Sequence, residues 1–246
     1  MDEGTPRRFF LIAPSRSGST MLSERLHSHP DVICFGEVLN GNGSLWHPAP
    51  VPDGMREGDP HGSDIAGFLD TEVWPWHARV TGAVGLKILE TDYMRLYSEL
   101  GAYLSANPDI GAIFLRRENL LERFVSAQVA VDTGVWAVGD ARARPDVGLV
   151  TIDPEILAGY FRTEGLQRLA VRRHFEGRRV HEVTYEALVD GPAAEDAGLC
   201  RFLGVKDRPL SHRNVQMRHR PLAERVANYA ELTQAFTDTP FAGFFQ

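Results

Sequence analysis

The chain has 246 residues, 43% hydrophobic and 24% charged, and this composition is typical of a globular protein and not of a disordered or collagen-like one. A chain of this length buries about three quarters of its extended surface, so a core forms without disulfides or metals, and one domain over residues 1–246 is expected. The net charge of -7 argues against a general nucleic-acid or anionic-membrane partner, so any bound anion needs a local basic site.

Apolar runs that favour strands alternate with helical patterns along the chain. Strands are predicted at 9–13, 32–35, 83–89, 110–115 and 180–184, and helices at 20–28, 93–106, 119–131, 154–175, 193–203 and from Pro221, with Leu222, Val226, Tyr229 and Leu232 on the apolar side of the last. This alternation predicts an α/β fold with a central parallel sheet flanked by helices. The carboxyl ends of the strands are where such sheets carry their sites.

The cysteines, the histidines and the apolar runs point to no metal site and no membrane span. Cys34 and Cys200 lie in apolar stretches outside any CxxC spacing, which predicts buried free thiols. The nine histidines show no HExxH or comparable spacing, so no metal is predicted. The apolar run 9–13 is too short for a signal peptide and nothing approaches a membrane span, so we expect a cytoplasmic protein.

Two stretches interrupt the alternation of strands and helices. Residues 40–80 are rich in Gly, Pro, His and Trp, and residues 133–153 are rich in turn-forming residues. Long irregular segments in an α/β domain are more often lids or binding loops than linkers, although a solvated insertion is the alternative. We therefore expect both loops to bind the substrate, with Trp46, Trp76 and Trp136 stacking on a sugar or aromatic ring unless they only fill the core.

The loop after the first predicted strand has the composition of an anion site. It reads Pro14-Ser15-Arg16-Ser17-Gly18-Ser19-Thr20 and leads directly into a helix. Backbone N–H groups and the positive helix end converge there, Gly18 permits close approach, and the hydroxyl groups and the Arg16 guanidinium add donors. Because the Gly-Lys-Ser/Thr ending of a Walker A loop is missing, a nucleoside triphosphate is disfavoured. A plain helix cap is the alternative.

A second basic element lies where the fourth predicted strand ends. Arg116 and Arg117 close the strand, and Ser126 follows two turns into the next helix. A guanidinium and a hydroxyl in this arrangement can hold a second phosphate. The arginines can equally form a salt-bridged helix face with Glu118 and Glu122.

Together these motifs resemble the sulfotransferases that use 3′-phosphoadenosine 5′-phosphosulfate (PAPS), in their bacterial and carbohydrate branch. The turn is similar to the family's 5′-phosphosulfate loop, and Arg117 with Ser126 to its 3′-phosphate pair; the interval is one residue longer than usual, so Arg116 also stays a candidate. The segment Val183-Thr184-Tyr185-Glu186-Ala187-Leu188-Val189 with Phe202-Leu203-Gly204 is similar to the family segment whose tyrosine lies against the adenine. The resemblance covers nearly the whole chain and implies a three-layer, P-loop-like α/β fold.

The resemblance also implies residues for the reaction. Glu37 follows the second predicted strand, where glycan sulfotransferases place a glutamate base, and Lys87 is similar to the strand lysine that meets the sulfuryl oxygens. Leu89 stands where the cytosolic branch has a histidine, which favours Glu37 as the base. A solvated loop glutamate and a lysine that reaches out to water are the alternatives. Arg218 and Arg220 are further candidates for the nucleotide's phosphate, unless they belong to a flexible basic turn.

The sequence thus predicts transfer of a sulfuryl group from PAPS to a hydroxyl of a small metabolite or glycan, with adenosine 3′,5′-bisphosphate as the product. In such an in-line displacement the protein mainly positions the reactants and stabilises the developing negative charge. The loop amides, Arg16 and Lys87 are expected to do this. A P-loop-like kinase and a non-catalytic nucleotide-binding module are the alternatives.

Overall fold

The computed structural model describes residues 6–40, 64–80, 82–135, 148–212 and 220–245. The chain divides into two compact units. We call Met1–Arg116 with Leu169–His212 the sheet unit, and Arg117–Arg168 with Arg213–Gln246 the helical unit. A single domain over 1–246 stays a prediction.

A parallel sheet organises the sheet unit. Its strands in the described ranges are β1 (Arg7–Ala13), β2 (Val32–Phe35), β3 (Ala83–Leu89), β4 (Gly111–Arg116) and β5 (Val180–Thr184). They lie in the order β2-β3-β1-β4-β5, and every neighbouring pair is parallel. The predicted strands and the parallel sheet are therefore confirmed. Because all strands run the same way, their carboxyl ends meet at one edge.

The helices of the described residues confirm the alternation read from the sequence. In chain order they are α1 (Ser19–His27), α2 (Ile65–Phe68), α3 (Glu90–Arg95), α4 (Tyr97–Ala106), α5 (Leu120–Thr133), α6 (Pro154–Arg173), α7 (Tyr185–Asp190), α8 (Pro192–Leu203) and α9 (Tyr229–Phe236). In the part of the chain that the structure describes, none of them combines the length and the apolar character that a membrane span needs.

Hydrophobic clusters cover both faces of the sheet, which makes the sheet unit three-layered. Along β1, Phe10 and Ile12 belong to one cluster and Phe9 and Leu11 to the other, as a side-chain period of two requires. The first cluster includes side chains from α3 and α4, and the second includes side chains from α1 and α8. The predicted three-layer α/β fold is thus confirmed.

The helical unit has a hydrophobic cluster of its own. Residues of α5, α9 and the first part of α6 bury their apolar sides in it, among them Val125, Phe161 and Phe236. The Asn119 side chain accepts the N–H of Glu122 and so caps the start of α5. Gly134 ends that helix with a left-handed backbone, φ 71°.

The structure corrects three predicted elements. The helix predicted at 93–106 is two helices, because Leu96 leaves the helical conformation with φ -106° and ψ 22°. The helix predicted from Pro221 is a short 3₁₀ turn followed by α9, because the backbone on both sides of Val226 bonds to Val150 instead of continuing a helix. Residues 65–79 within the predicted irregular loop 40–80 are helical throughout, in α, π and 3₁₀ turns.

Candidate active site

The turn between β1 and α1 is wound tightly at the carboxyl edge of the sheet. Arg16 and Gly18 both have left-handed backbone conformations, with φ 61° and 89°. Ser17 is fully buried, and its hydroxyl donates to the carbonyl oxygen of Pro14 at 2.7 Å. The first intrahelical bond of α1 runs from Leu22 N–H to the Gly18 carbonyl at 3.0 Å. Among the described residues no side chain caps this helix end, so its first amide groups are oriented for an anion.

Tyr185 packs directly against this turn. A β-carbon at Gly18 would lie 2.5 Å from Cδ2 of the Tyr185 ring, well inside van der Waals contact. Tyr185 is the first residue of α7 and follows β5, so its ring reaches the turn from the same edge of the sheet. The turn therefore requires glycine at position 18 for its backbone and for this contact.

Lys87 connects the turn to Glu37. Its ammonium nitrogen donates to Oγ1 of Thr20 at 3.1 Å and lies 2.8 Å from Oε1 of Glu37. The Lys87 side chain is 5% exposed and that of Glu37 14% exposed. The strand register explains why Lys87 and Glu37 are in contact. Lys87 of β3 lies beside Leu11 of β1 on one side, and β2, which Glu37 follows, pairs with β3 on the other side. The two predicted alternatives, a solvated glutamate and a lysine that reaches water, are both wrong.

The charge near this pair affects two further groups. Burial raises the pKa of Asp92, Arg95 lowers it, and the carboxylate of Glu37 raises it again. Burial also raises the pKa of the Cys34 thiol to about 12, against the opposing effect of Lys87. Cys34 is therefore a neutral thiol and not a nucleophile, and the prediction of two buried free cysteines is confirmed.

The second basic element lies partly in each unit. Arg116 is the exposed last residue of β4 in the sheet unit. In the helical unit, Arg117 is 11% exposed at its side chain and lies 3.5 Å from Oε2 of Glu122, while Ser126 is buried on α5. The salt-bridged alternative is thus present at Arg117. The choice between Arg116 and Arg117 stays a prediction.

The remaining predicted site residues are three tryptophans and two arginines. Trp76 packs edge-on against Phe35, with ring centroids 5.4 Å apart, and the Arg79 guanidinium lies 4.4 Å from its ring centroid. Trp76 therefore contributes to packing, and its role in substrate binding stays a prediction. Arg220 is exposed. Trp46, Trp136 and Arg218 lie outside the described residues.

Three residues near Glu37 were not predicted from the sequence. Asn40 donates to Glu37, and Arg95 donates to the carbonyl oxygen of Leu39 and pairs with Asp92. Their positions in the sequence could have indicated them, because Asn40 follows Glu37 by three residues and Asp92 follows the carboxyl end of β3. In the described ranges no group of three or more His, Cys, Asp or Glu is arranged to hold a metal ion.

Comparison with known proteins places the chain in a family. No protein-family model matches it. Nodulation protein H of Rhizobium meliloti (strain 1021) is 30% identical over 247 residues, which cover 98% of this chain and 96% of that protein. Two solved structures share the fold with a TM-score of 0.52 each: a sulfotransferase from Alicyclobacillus acidocaldarius, 20% identical over 96% of this chain and 93% of its own, and the sulfotransferase domain from the Curacin biosynthetic pathway, 17% identical over 98% and 95%. The chain therefore belongs to the sulfotransferase family, with Nodulation protein H as a relative over nearly its whole length.

Proposed function

We propose that this sulfotransferase uses PAPS as its donor and transfers the sulfuryl group to a hydroxyl of a small metabolite or glycan. The observation that carries the proposal is the contact of Lys87 with both Thr20 and Glu37. In this arrangement a buried cation lies between the first turn of α1 and a carboxylate. Sulfuryl transfer needs these parts together: a site for the phosphosulfate, a positive charge and a proton acceptor.

The turn is suited to the phosphosulfate end of the donor. The amide groups at the start of α1 offer hydrogen bonds without adding a mobile charge, and Arg16 adds a guanidinium. Glycine at position 18 permits both the left-handed backbone and the close contact with Tyr185. Tyr185 lies against Gly18, consistent with a place beside the nucleotide that this turn would hold.

Lys87 and Glu37 have different roles in the proposed reaction. Glu37 accepts the proton of the acceptor hydroxyl while the new oxygen–sulfur bond forms and the bond from sulfur to the phosphate oxygen breaks. Lys87 offers positive charge to the oxygens on which negative charge grows, and its ammonium has three donors for this purpose. Because Lys87 also binds Glu37, it fixes the distance between the anion site and the base.

For the 3′-phosphate of the donor we propose Arg117 and Ser126, with Arg116, Arg218 and Arg220 as further candidates. Arg117 is already held by Glu122, so it is fixed in place before a phosphate binds. Glu122 also pairs with Arg225 at 2.8 Å, which leaves the group of three with a net positive charge. Such a group suits a phosphate better than a neutral ion pair does.

Ligand binding distinguishes the donor from a nucleoside triphosphate. Adenosine 3′,5′-bisphosphate should raise the melting temperature of the protein, and ATP with Mg²⁺ should raise it much less, because the turn lacks the ending that grips a triphosphate. A larger increase in melting temperature with ATP and Mg²⁺ than with the bisphosphate would favour a P-loop-like kinase.

Turnover tests the assigned roles. With labelled PAPS and a panel of hydroxylated metabolites and glycans, Glu37→Gln should lower kcat by about 100-fold or more while the bisphosphate still binds. Lys87→Met should lower kcat by a comparable factor because it removes the buried cation. Bisphosphate binding without turnover on any acceptor would favour the non-catalytic module. Full activity of Glu37→Gln would contradict the base assignment and leave the family membership intact.

A further inference from the structure

Both oxygens of the Glu37 carboxylate have a donor. Oε1 lies 2.8 Å from the ammonium of Lys87, and Oε2 accepts a hydrogen bond from Nδ2 of Asn40 at 3.3 Å. The two donors come from different parts of the chain, one from β3 and one from the segment after β2. A carboxylate held at both oxygens cannot rotate about its last bond without losing one partner.

The segment that carries Glu37 and Asn40 is itself fixed. Val38 and Leu39, between them, are 0% and 1% exposed and belong to the hydrophobic cluster on one face of the sheet. The Asn40 N–H donates to the Glu37 carbonyl at 3.0 Å, and Arg95 of α3 donates to the Leu39 carbonyl at 2.7 Å. Asn40 therefore reaches Glu37 from a position that the backbone determines.

The charged groups that face Glu37 explain why a neutral donor suits Oε2. Lys87 of β3 pairs with Oε1 of Glu37, the Glu37 carboxylate helps to raise the pKa of Asp92 of α3, and Arg95 pairs with Asp92 at 3.8 Å. A second cation on Oε2 would make Glu37 a weaker base, because it would stabilise the charge that must accept a proton. An amide fixes the direction of the carboxylate at a smaller cost in basicity.

We propose that Asn40 is a positioning residue, which holds Oε2 of Glu37 so that the carboxylate keeps one orientation toward the acceptor hydroxyl. The inference rests on the proposed role of Glu37 as the base. It assigns Asn40 no contact with the substrate. Its effect should appear in kcat and in the pH at which the base becomes protonated, and not in donor binding.

The test compares the pH–rate profiles of Asn40→Ala, Asn40→Asp and a control variant, Asn107→Ala. Asn40→Ala removes the donor and should lower kcat about tenfold, with the KM for PAPS within about twofold of the wild-type value. Its acid limb should move to higher pH, because the ionised carboxylate loses a hydrogen bond. Asn40→Asp keeps the size of the side chain, adds a negative charge beside Oε2 and should move that limb further in the same direction.

Asn107 provides the matched control. It precedes β4 at the amino end of the sheet, where Nδ2 donates to the Tyr103 carbonyl at 2.9 Å and Oδ1 accepts from Arg8 at 3.0 Å. Asn107→Ala removes these two part-buried hydrogen bonds and should lower stability without moving the acid limb. The increase in melting temperature with adenosine 3′,5′-bisphosphate shows that each variant is folded; if Asn40→Ala is not, the nearly isosteric Asn40→Asp carries the test.

The Glu37→Gln variant separates failure of this inference from failure of the proposed function. Inactive Glu37→Gln together with Asn40 variants of wild-type kcat and wild-type pH profile would overturn the role of Asn40 and leave the base in place. Fully active Glu37→Gln would overturn both. A displaced acid limb in the Asn40 variants alone, with the Asn107 control unchanged, supports the inference.

Discussion

Among single residues, two in the turn between β1 and α1 have backbone conformations that most residues other than glycine avoid. Gly18 has φ 89° and also touches the Tyr185 ring, whereas Arg16 adopts φ 61° despite having a side chain. A left-handed conformation in a residue other than glycine costs about 1 to 3 kcal/mol, so the rest of the turn must hold Arg16 in place. The buried hydroxyl of Ser17, bonded to the Pro14 carbonyl, is one such restraint.

Substitution at position 18 separates these two constraints. Gly18→Ala should lower the free energy of unfolding by roughly 1 kcal/mol for its backbone and by more for the contact with Tyr185, and it should weaken binding of adenosine 3′,5′-bisphosphate. Gly177→Ala is the control, because Gly177 has φ 74° in the same unit with nothing within 4 Å of a new β-carbon. Urea unfolding and calorimetric titration measure both effects. Equal destabilisation by the two variants would contradict the importance of the Tyr185 contact.

Among the helices, α1, whose start is the proposed anion site, is anchored by a buried ion pair. Arg25 of α1 pairs with Asp196 of α8 at 2.5 Å, and both residues are at least 95% buried, with exposures of 5% and 4%. The other oxygen of Asp196 accepts the N–H of Leu210 at 2.9 Å. The pair thus connects α1, α8 and the segment after α8, and these elements set the position of α1 on the sheet.

Removal of one partner of this pair should be costly. Asp196→Ala leaves the guanidinium of Arg25 buried without its carboxylate and should lower the free energy of unfolding by about 3 to 5 kcal/mol. Asp109→Ala is the control, because Asp109 also accepts two hydrogen bonds from Arg8 but is 57% exposed at its side chain, so its loss should cost less than that of the buried Asp196. Chemical denaturation at neutral pH compares the two. Similar losses in both variants would mean that burial of the α1 pair has no special effect.

For the molecule as a whole, the net charge of -7 means that the proposed anion sites depend on local basic groups. In the sheet unit these are the start of α1, Arg16 and the buried Lys87, and in the helical unit they are Arg117 and Arg225 around Glu122. Each unit also has a hydrophobic core of its own. These cations lie at the ends of particular strands and helices, where they can bind a small anion.

The stability of the protein should fall in mild acid. Burial lowers the pKa of both His174 and His181 below the ordinary value of 6.5, with Arg178 adding to the effect at His174 and Arg201 opposing Glu195 at His181. Since the unfolded chain binds protons at these sites more readily, their stabilisation is complete above pH 6.5 and is lost as the pH falls through the lowered values.

Paired variants test this contribution. The raised pKa of Asp92 makes the folded state more stable as the pH falls, which opposes the effect of the two histidines. The pH dependence of wild-type stability therefore combines both contributions. The double variant His174→Gln and His181→Gln should show a smaller decrease in the free energy of unfolding between about pH 7 and pH 5 than the wild type does. Denaturant titrations at both pH values measure the difference. An unchanged decrease would show that other groups cause the acid sensitivity.

The strands and the parallel sheet were predictable from the sequence, which also pointed to the β1–α1 turn, Glu37 and Lys87 as candidate site residues. These features depend on local patterns: apolar runs bounded by polar turns, a Ser/Gly-rich loop before a helix, and motifs in a fixed order. The contact between Lys87 and Glu37, the packing of Tyr185 on Gly18 and the support of Glu37 by Asn40 were decided only by tertiary structure. The division of the chain into two units belongs with them. The physical reason is that strand order and register bring together side chains that are far apart in the chain, and no local pattern encodes which neighbour a strand end will meet.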